Sequence, residues 1–304
     1  MNHPLLNPCN DVVFKLLFAN SLPLLTDLIN AVRSTEPEVI VVSVQNPRID
    51  PDEWNGKFII LDILAKDQDG HFYNIEMQVS QREQWSARSM VYLAKTLAAQ
   101  LKTGDNYAAL KPVIGIHLLG YDLFPTPEQA VWCFEMRDQH NPAVILGREM
   151  QLNIVELAKA DRLARASGNA SSTDSANAKL TALAAWIAYF SHSKEENIMN
   201  QIAHPPVLAA LQELKALSDN AEARRLAEVR ERALMSENTE IQAALARGKA
   251  MGEATGEARG KEIGKEIGKE IGKEIGAAQA KAEALQCLIK SGIPEAQARA
   301  ILHM

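Results

Sequence analysis

The sequence has little cysteine, no long apolar run and no secretory signal. Its three cysteines, Cys9, Cys133 and Cys287, are widely spaced in a chain of 304 residues, which excludes a disulfide framework and a cysteine zinc pattern. No uncharged apolar run approaches the roughly 20 residues that a membrane-spanning helix requires. The N-terminus has neither the basic nor the apolar region of a signal peptide. We therefore expect a globular protein in the reduced cytoplasm, with no membrane partner.

The sequence also lacks the short motifs of several common enzyme classes. Its seven histidines are scattered and show no paired spacing of zinc ligands. There is no phosphate-binding P-loop, no Gly-x-Gly-x-x-Gly loop and no Gly-x-Ser-x-Gly nucleophile motif. None of these motifs therefore competes with the acidic hairpin described below.

Basic residues are scarce in the first half of the chain. Residues 1–160 contain 13 Lys+Arg and 19 Asp+Glu, so this half carries the whole formal net charge of −6. Nonspecific DNA binding depends on Lys and Arg side chains that displace counterions from phosphates. If this half acts on DNA, it needs a local basic surface and a bound cation.

One candidate basic surface lies on a helix that the sequence predicts over residues 82–102. Arg88, Lys95 and Lys102 recur every seven residues, and Tyr92 follows Arg88 by four, so all four share one helical face. We interpret these residues as DNA-binding candidates that contact phosphates beside the hairpin. The alternative is an ordinary solvated helix face.

A predicted β-hairpin over residues 61–78 carries the most informative polar residues. A two-residue turn at Asp69-Gly70 and a three-residue loop that ends at Gly70 are both compatible with the sequence. The choice matters because a shift of one residue turns every side chain to the other face. The alternation of apolar Tyr73, Ile75 and Met77 with polar Asn74, Glu76 and Gln78 favours the three-residue loop. This register pairs Asp62 with Glu76.

Two opposed carboxylates predict a metal site. Asp62 and Glu76 would repel each other unless one is protonated or a cation lies between them. Oxygen ligands suit Mg²⁺, or Mn²⁺ as the alternative, with waters and a phosphate completing the coordination shell. We expect the Met77 carbonyl to be a further ligand and the Gln78 amide to orient the attacking water. The structural alternatives are that Asp62 caps a strand or pairs with Lys66, and that Glu76 is a solvated sheet residue.

Five parts of the chain resemble, in order and spacing, the PD-(D/E)XK nuclease family transposases, also called the recombination-promoting nuclease family. The matching residues are Asn10–Phe18, Leu61–Ala65 with Tyr73–Gln78, Arg88–Tyr92, Gln100–Tyr107 and Leu110–Ile116. The resemblance implies an α/β fold of the restriction-endonuclease type, in which a mixed sheet is flanked by helices, followed by an α-helical C-terminal region.

The same resemblance implies roles for individual residues. Asp62 and Glu76 correspond to metal ligands, Gln78 replaces the usual lysine, and Asp11 corresponds to an acidic residue on the first helix, although Asp11 is also a candidate N-cap. The implied activity is a Mg²⁺-dependent DNA endonuclease of low sequence specificity, linked to recombination or mobile-element biology. The rival hypothesis is a catalytically inactive nuclease fold that acts as an oligomeric binding or assembly module.

Composition divides the chain into four predicted regions. Residues 1–165 form the nuclease domain, and 166–179, rich in Ser, Asn and Ala, form a linker or loop. Residues 180–247 form a helical region. Residues 248–304 form a repeat helix followed by a C-terminal helical hairpin.

The repeat in the last region has a glycine at every fourth position from 248 to 276, and its last four units are Gly-Lys-Glu-Ile. Its isoleucines form a ridge that drifts by ~40° around a helix at each step. Glycine destabilises a helix interior by ~1 kcal/mol per residue relative to alanine. We interpret the repeat as an oligomerisation helix or a flexible spacer, and expect a homo-oligomer formed through the C-terminal helices. A repeat expanded by slippage is the alternative.

Overall fold

The computed structural model describes residues 3–46, 63–81, 84–166 and 175–304, with the side chains of 175–181 left aside. Contacts divide the chain into two units, Met1–Ala233 and Leu234–Met304. The first unit contains a six-stranded mixed sheet in the order β1-β2-β3-β4-β6-β5. Its strands are β1 Val41–Val44, β2 Ile63–Asp67, β3 Phe72–Gln78, β4 Val113–Leu119, β5 Val131–Phe134 and β6 Met150–Glu156.

Helices cover both faces of this sheet. Along the whole described chain, the helices are α1 Asp11–Phe18, α2 Leu22–Val32, α3 Trp85–Ala98, α4 Leu157–Ala166, α5 Ser175–His192, α6 Glu196–Met199, α7 Pro205–Asp219, α8 Ala221–Lys290 and α9 Glu295–Ile301. Together with the sheet they confirm the predicted α/β architecture with a helical C-terminal region.

The first two helices form because each has a clear start signal. The Asn10 side chain accepts hydrogen bonds from the first backbone amides of α1, and Pro23 lies in the first turn of α2, where its missing N–H is harmless. The two helices are separate, with residues 19–21 between them. No single described helix has the length and apolar character of a membrane span; α1 and α2 meet that description only as a pair, bent by 112°.

The main core lies between one face of the sheet and helices α1, α2, α5 and α7. Tyr73, Ile75 and Met77 point into it from β3 because alternate residues of a strand share a face. An aromatic cluster packs beneath them, formed by Phe14, Phe18, Trp186 and Phe190. The first unit extends to Ala233 and therefore includes helices that the sequence analysis assigned to a separate helical region.

A smaller core lies on the opposite face, under α3. Trp85 and Leu93 pack there against residues of β4 and β6. The prediction that this helix reaches Lys102 is wrong, because α3 ends at Ala98. The chain then turns, with the Asp105 carboxylate accepting a hydrogen bond from the Lys102 amide at 2.7 Å.

The second unit begins at Leu234 and contains the rest of α8 together with the whole of α9. The repeat is helical throughout, and apart from the helix's own adjacent backbone no described residue lies within 4 Å of where a Cβ would sit on any of its glycines. The repeat isoleucines at 263, 267, 271 and 275 are about half exposed, at 48–54%. Gly292 has φ +92° after the end of α8, as a helix-terminating glycine requires. Oligomerisation through this helix stays a prediction.

Candidate active site

The β2–β3 hairpin is closed by a three-residue loop. Gly70 has φ +86°, which favours glycine, and the Asp67 amide donates to the His71 carbonyl at 3.1 Å. The register pairs Ile63 with Ile75 and Lys66 with Phe72. The register favoured by the sequence is therefore confirmed over these residues. Asp62 lies outside the described residues.

The Asp67 carboxylate organises this turn. Its Oδ1 accepts from the amides of Asp69 and His71 at 2.9 and 2.8 Å, and its Oδ2 accepts from the Tyr73 hydroxyl at 3.1 Å and lies 2.9 Å from His71 Nδ1. Asp67, Asp69 and His71 are also close enough together to hold a metal ion. Each oxygen of Asp67 already has two polar partners, which leaves no lone pair for a cation, and Asp69 is exposed, so this group is best explained as a turn-closing network.

Glu76 is the centre of a polar cluster on the α3 side of the sheet. Its Oε1 accepts from Arg88 Nη2 at 2.8 Å. Its Oε2 lies 3.2 Å from Nδ1 of His117, which is the cross-strand partner of Glu76 on β4, although these atoms are not aligned as a hydrogen bond. The other ring nitrogen of His117 lies 2.9 Å from Ser89 Oγ. Residues from β3, β4 and α3 therefore converge on one carboxylate.

The surroundings keep Glu76 ionised. Burial by itself raises the pKa of the Glu76 carboxyl, but His117 and Arg88 outweigh burial and hold this pKa below its usual value. The Glu76 side chain is 19% exposed and that of Arg88 is 39% exposed, whereas that of His117 is 3% exposed. The cluster is thus a partly accessible carboxylate with one buried and one exposed neighbour.

Two buried polar atoms near this cluster have no hydrogen-bond partner among the described residues. Gln78 lies two residues after Glu76 on the same face of β3; its amide nitrogen donates to the Ser80 carbonyl at 3.1 Å, and its Oε1 is unpaired. Trp85 Nε1 is also unpaired, and the Trp85 ring packs edge-on against the His117 ring at 5.0 Å. A carboxylate beside an unpaired amide oxygen provides the oxygen donors that Mg²⁺ or Mn²⁺ requires. The residues present therefore fit a divalent cation.

Met77 lies between these two residues, and its side chain is buried in the main core on the other face of the sheet. Its backbone carbonyl is the predicted ligand, and this role stays a prediction. Glu76, Gln78 and His117 all lie towards the carboxyl ends of parallel strands β3 and β4. Ligands of open α/β sheets usually bind at that edge.

Asp11 lies in a different set of contacts. It is the first residue of α1, whose cap is Asn10, and its carboxylate forms a bidentate pair with Arg230, with Nε 2.9 and 2.8 Å from the two oxygens. No hydrogen bond among the described residues links Asp11 to Glu76. The predicted catalytic role of Asp11 stays a prediction.

The structure places three of the four predicted DNA-binding residues on α3. The Arg88 guanidinium lies 5.9 Å from the centre of the Tyr92 ring, as expected for residues four apart, and Lys95 is exposed further along. Lys102 is exposed but lies beyond the helix. DNA contact by these residues stays a prediction.

The sequence analysis missed His117 and Ser89. The available signal was that His117 is the one polar residue in the otherwise apolar strand Val113–Leu119. Ser89 gave no such signal, because a serine directly after Arg88 looks like an ordinary surface residue of a helix.

Glu156, at the end of β6, is a second buried acid on this side of the sheet. Its carboxylate accepts from Lys159 Nζ and Trp132 Nε1, each at 2.7 Å, and from the amides of Leu123 and Phe124. With four donors it is fully satisfied and has no free lone pair for a ligand. Lys159 also lines a neighbouring cavity of about 570 Å³, which contains none of the predicted site residues.

Comparisons with known proteins agree with the architecture. A family model described as PD-(D/E)XK nuclease family transposase matches residues 8–244 of the chain. This range includes the whole sheet and the Glu76 cluster. No curated protein and no solved structure matches the chain.

Proposed function

The chain belongs to the PD-(D/E)XK nuclease family transposases, and we propose that it is a Mg²⁺-dependent DNA endonuclease of low sequence specificity, active in recombination or mobile-element biology. The observation that carries this proposal is the ionised, partly accessible Glu76 carboxylate beside the unpaired Gln78 oxygen. Family membership supports a nuclease-related role, and this donor pair supports a metal-dependent one.

Asp62, Glu76 and the Met77 carbonyl would hold the Mg²⁺ ion, with Mn²⁺ as the alternative. The observed register pairs Ile63 with Ile75, and we propose that Asp62 continues it opposite Glu76. When bound, such a cation polarises a phosphodiester and lowers the pKa of a coordinated water. Gln78 orients a water through its amide and, being uncharged, supplies no positive charge to the reacting phosphate.

Most of the remaining candidate site residues would contact DNA rather than the cation. We assign Arg88, Tyr92, Lys95 and Lys102 to contacts with the nucleic-acid backbone. Because the first half of the chain is acidic, these few basic residues account for most of the attraction to phosphate. The bidentate pair with Arg230 favours a supporting role for Asp11, which fixes the start of α1, over direct metal binding.

Nicking of supercoiled plasmid tests the proposal. Wild-type protein should nick the plasmid with Mg²⁺ and lose this activity with EDTA, and Glu76→Gln and Asp62→Asn should each lower the rate by about 100-fold or more. Glu36→Gln is the matched control, because Glu36 is also a partly exposed acid paired with an arginine, Arg148. Nicking that survives Glu76→Gln unchanged would overturn the assignment.

The alternative function is an inactive nuclease fold that assembles through its C-terminal helix. Two observations favour it: Gln78 replaces the charged lysine, and the repeat exposes a continuous row of isoleucines. Lys and Glu alternate beside that row, so two copies carry complementary charges and self-association is favoured. Self-association is compatible with both functions, whereas absence of Mg²⁺-dependent nicking would leave only this one.

A further inference from the structure

The two oxygens of the Glu76 carboxylate have unlike neighbours. Oε2 faces His117, whose ring is buried, lies 2.9 Å from Ser89 Oγ through its other nitrogen, and packs against the Trp85 ring. Oε1 faces Arg88, a long side chain in the first turn of α3 that is 39% exposed. His117 is therefore fixed by its surroundings, whereas the Arg88 side chain can rotate into solvent.

The order Ser89, His117, Glu76 has the connectivity of a hydrolase triad, but the environment excludes that chemistry. Ser89 is 4% exposed and lies within α3, packed against the sheet. A nucleophilic oxygen must reach the substrate, and this one is buried. His117 and Ser89 are therefore better explained as residues that orient Glu76.

We infer that Arg88 yields Oε1 of Glu76 to a divalent cation, while His117, supported by Ser89, stays beside Oε2 and limits the movement of the carboxylate. The inference rests on the proposed function, in which Glu76 is a metal ligand. A guanidinium and a divalent cation compete for Oε1, because two positive charges that contact the same oxygen repel each other. Arg88 contacts the same carboxylate oxygen that the cation would bind.

The displaced Arg88 remains tethered to α3 beside Tyr92. Its guanidinium is then free to form a bidentate contact with a phosphate, a geometry that arginine favours. One residue thus neutralises Glu76 before the cation arrives and binds the DNA strand afterwards. His117 is a positioning residue, since it acts on the cation only through Glu76.

Binding of Mn²⁺ to the full-length chain without DNA tests the inference, with free Mn²⁺ measured by electron paramagnetic resonance. Arg88→Ala should tighten Mn²⁺ binding by about three- to tenfold, because the competing cation is removed. Arg225→Ala is the matched control and should leave binding unchanged, because Arg225 pairs with Glu222 on the exposed surface of α8.

His117→Ala should weaken Mn²⁺ binding by about tenfold, as is usual when the group that orients a metal ligand is lost. His117→Asn should restore much of this loss, because its amide can donate towards Oε2. A thermal melt of each variant checks that the buried substitution leaves the chain folded.

The outcomes separate the inference from the function on which it rests. If Glu76→Gln abolishes Mn²⁺ binding but Arg88→Ala leaves it unchanged or weaker, the exchange is wrong and the metal site stands. If Glu76→Gln binds Mn²⁺ as tightly as the wild type does, Glu76 is not a ligand and the proposed function fails.

Discussion

Removing the charge of Glu156 should destabilise the fold severely. Glu156 is fully buried and Lys159 is 2% exposed, so Glu156→Gln leaves a buried ammonium without its counter-ion and turns one oxygen acceptor into a donor. Breaking one side of a buried pair typically costs about 3–5 kcal/mol of unfolding free energy. Both groups are shielded from solvent, so salt screens the pair only weakly.

Urea unfolding followed by circular dichroism would measure this loss. The double variant Glu156→Gln with Lys159→Met should recover part of the lost stability, because it removes both buried charges. Glu228→Gln is the control, since Glu228 pairs with Arg232 on the exposed surface of α8. A loss below about 1 kcal/mol for Glu156→Gln would refute the view that this pair is a closed, mutually dependent network.

The contribution of Glu156 to the free energy of unfolding should fall at acidic pH. Burial raises the pKa of Glu156, but the hydrogen bonds from Lys159, Phe124 and Trp132 outweigh it, so the folded-state pKa lies below the usual value. Its contribution to stability is therefore complete above the unfolded pKa of about 4.3 and is lost as the pH falls through the folded pKa. The stability difference between wild type and Glu156→Gln should shrink in that acidic range, and a constant difference would contradict the assignment.

Two further predictions concern DNA and assembly. Lys95→Ala should weaken DNA binding for all sequences alike and lower the slope of log affinity against log salt by about 1; Lys215→Ala, an exposed lysine of α7, is the control, and equal slopes would argue against a phosphate contact by Lys95. Ile267→Glu with Ile271→Glu should lower the mass measured by light scattering of the full-length chain, whereas Glu266→Gln with Glu270→Gln should not; an unchanged mass in both would refute assembly through the isoleucine row.

The hairpin was predictable because its determinants are local. A strand alternates its side chains with a period of two, and Gly70 permits the positive φ of a three-residue loop. These two facts fix the register of Ile63 with Ile75 without any long-range information. The buried strand β4 and the two helices on either side of Ser21 follow from equally local patterns.

The rest of the site depends on contacts that a single sequence does not encode locally. Arg230 and Asp11 are 219 residues apart, and His117 and Ser89 are 28 apart, so only the fold brings them together. The seven-residue spacing predicted that Lys102 lies on the same helix as Arg88. It could not reveal that α3 ends at Ala98 or that the Asp105 carboxylate accepts a hydrogen bond from the Lys102 amide in the turn that follows. Which opposite charges pair therefore depends on the topology of the fold, because the topology decides which side chains lie close together.

The four-residue repeat gives the second unit an adjustable length. One extra Gly-Lys-Glu-Ile unit would lengthen α8 by ~6 Å and rotate everything beyond it, including α9, by ~40° about the helix axis. Gain or loss of one unit would therefore rotate α9 relative to the start of the repeat, and about nine such steps would return it to its original orientation. The length of α8 and the orientation of α9 about its axis can thus change in discrete increments, while no residue of the six-stranded sheet has to change.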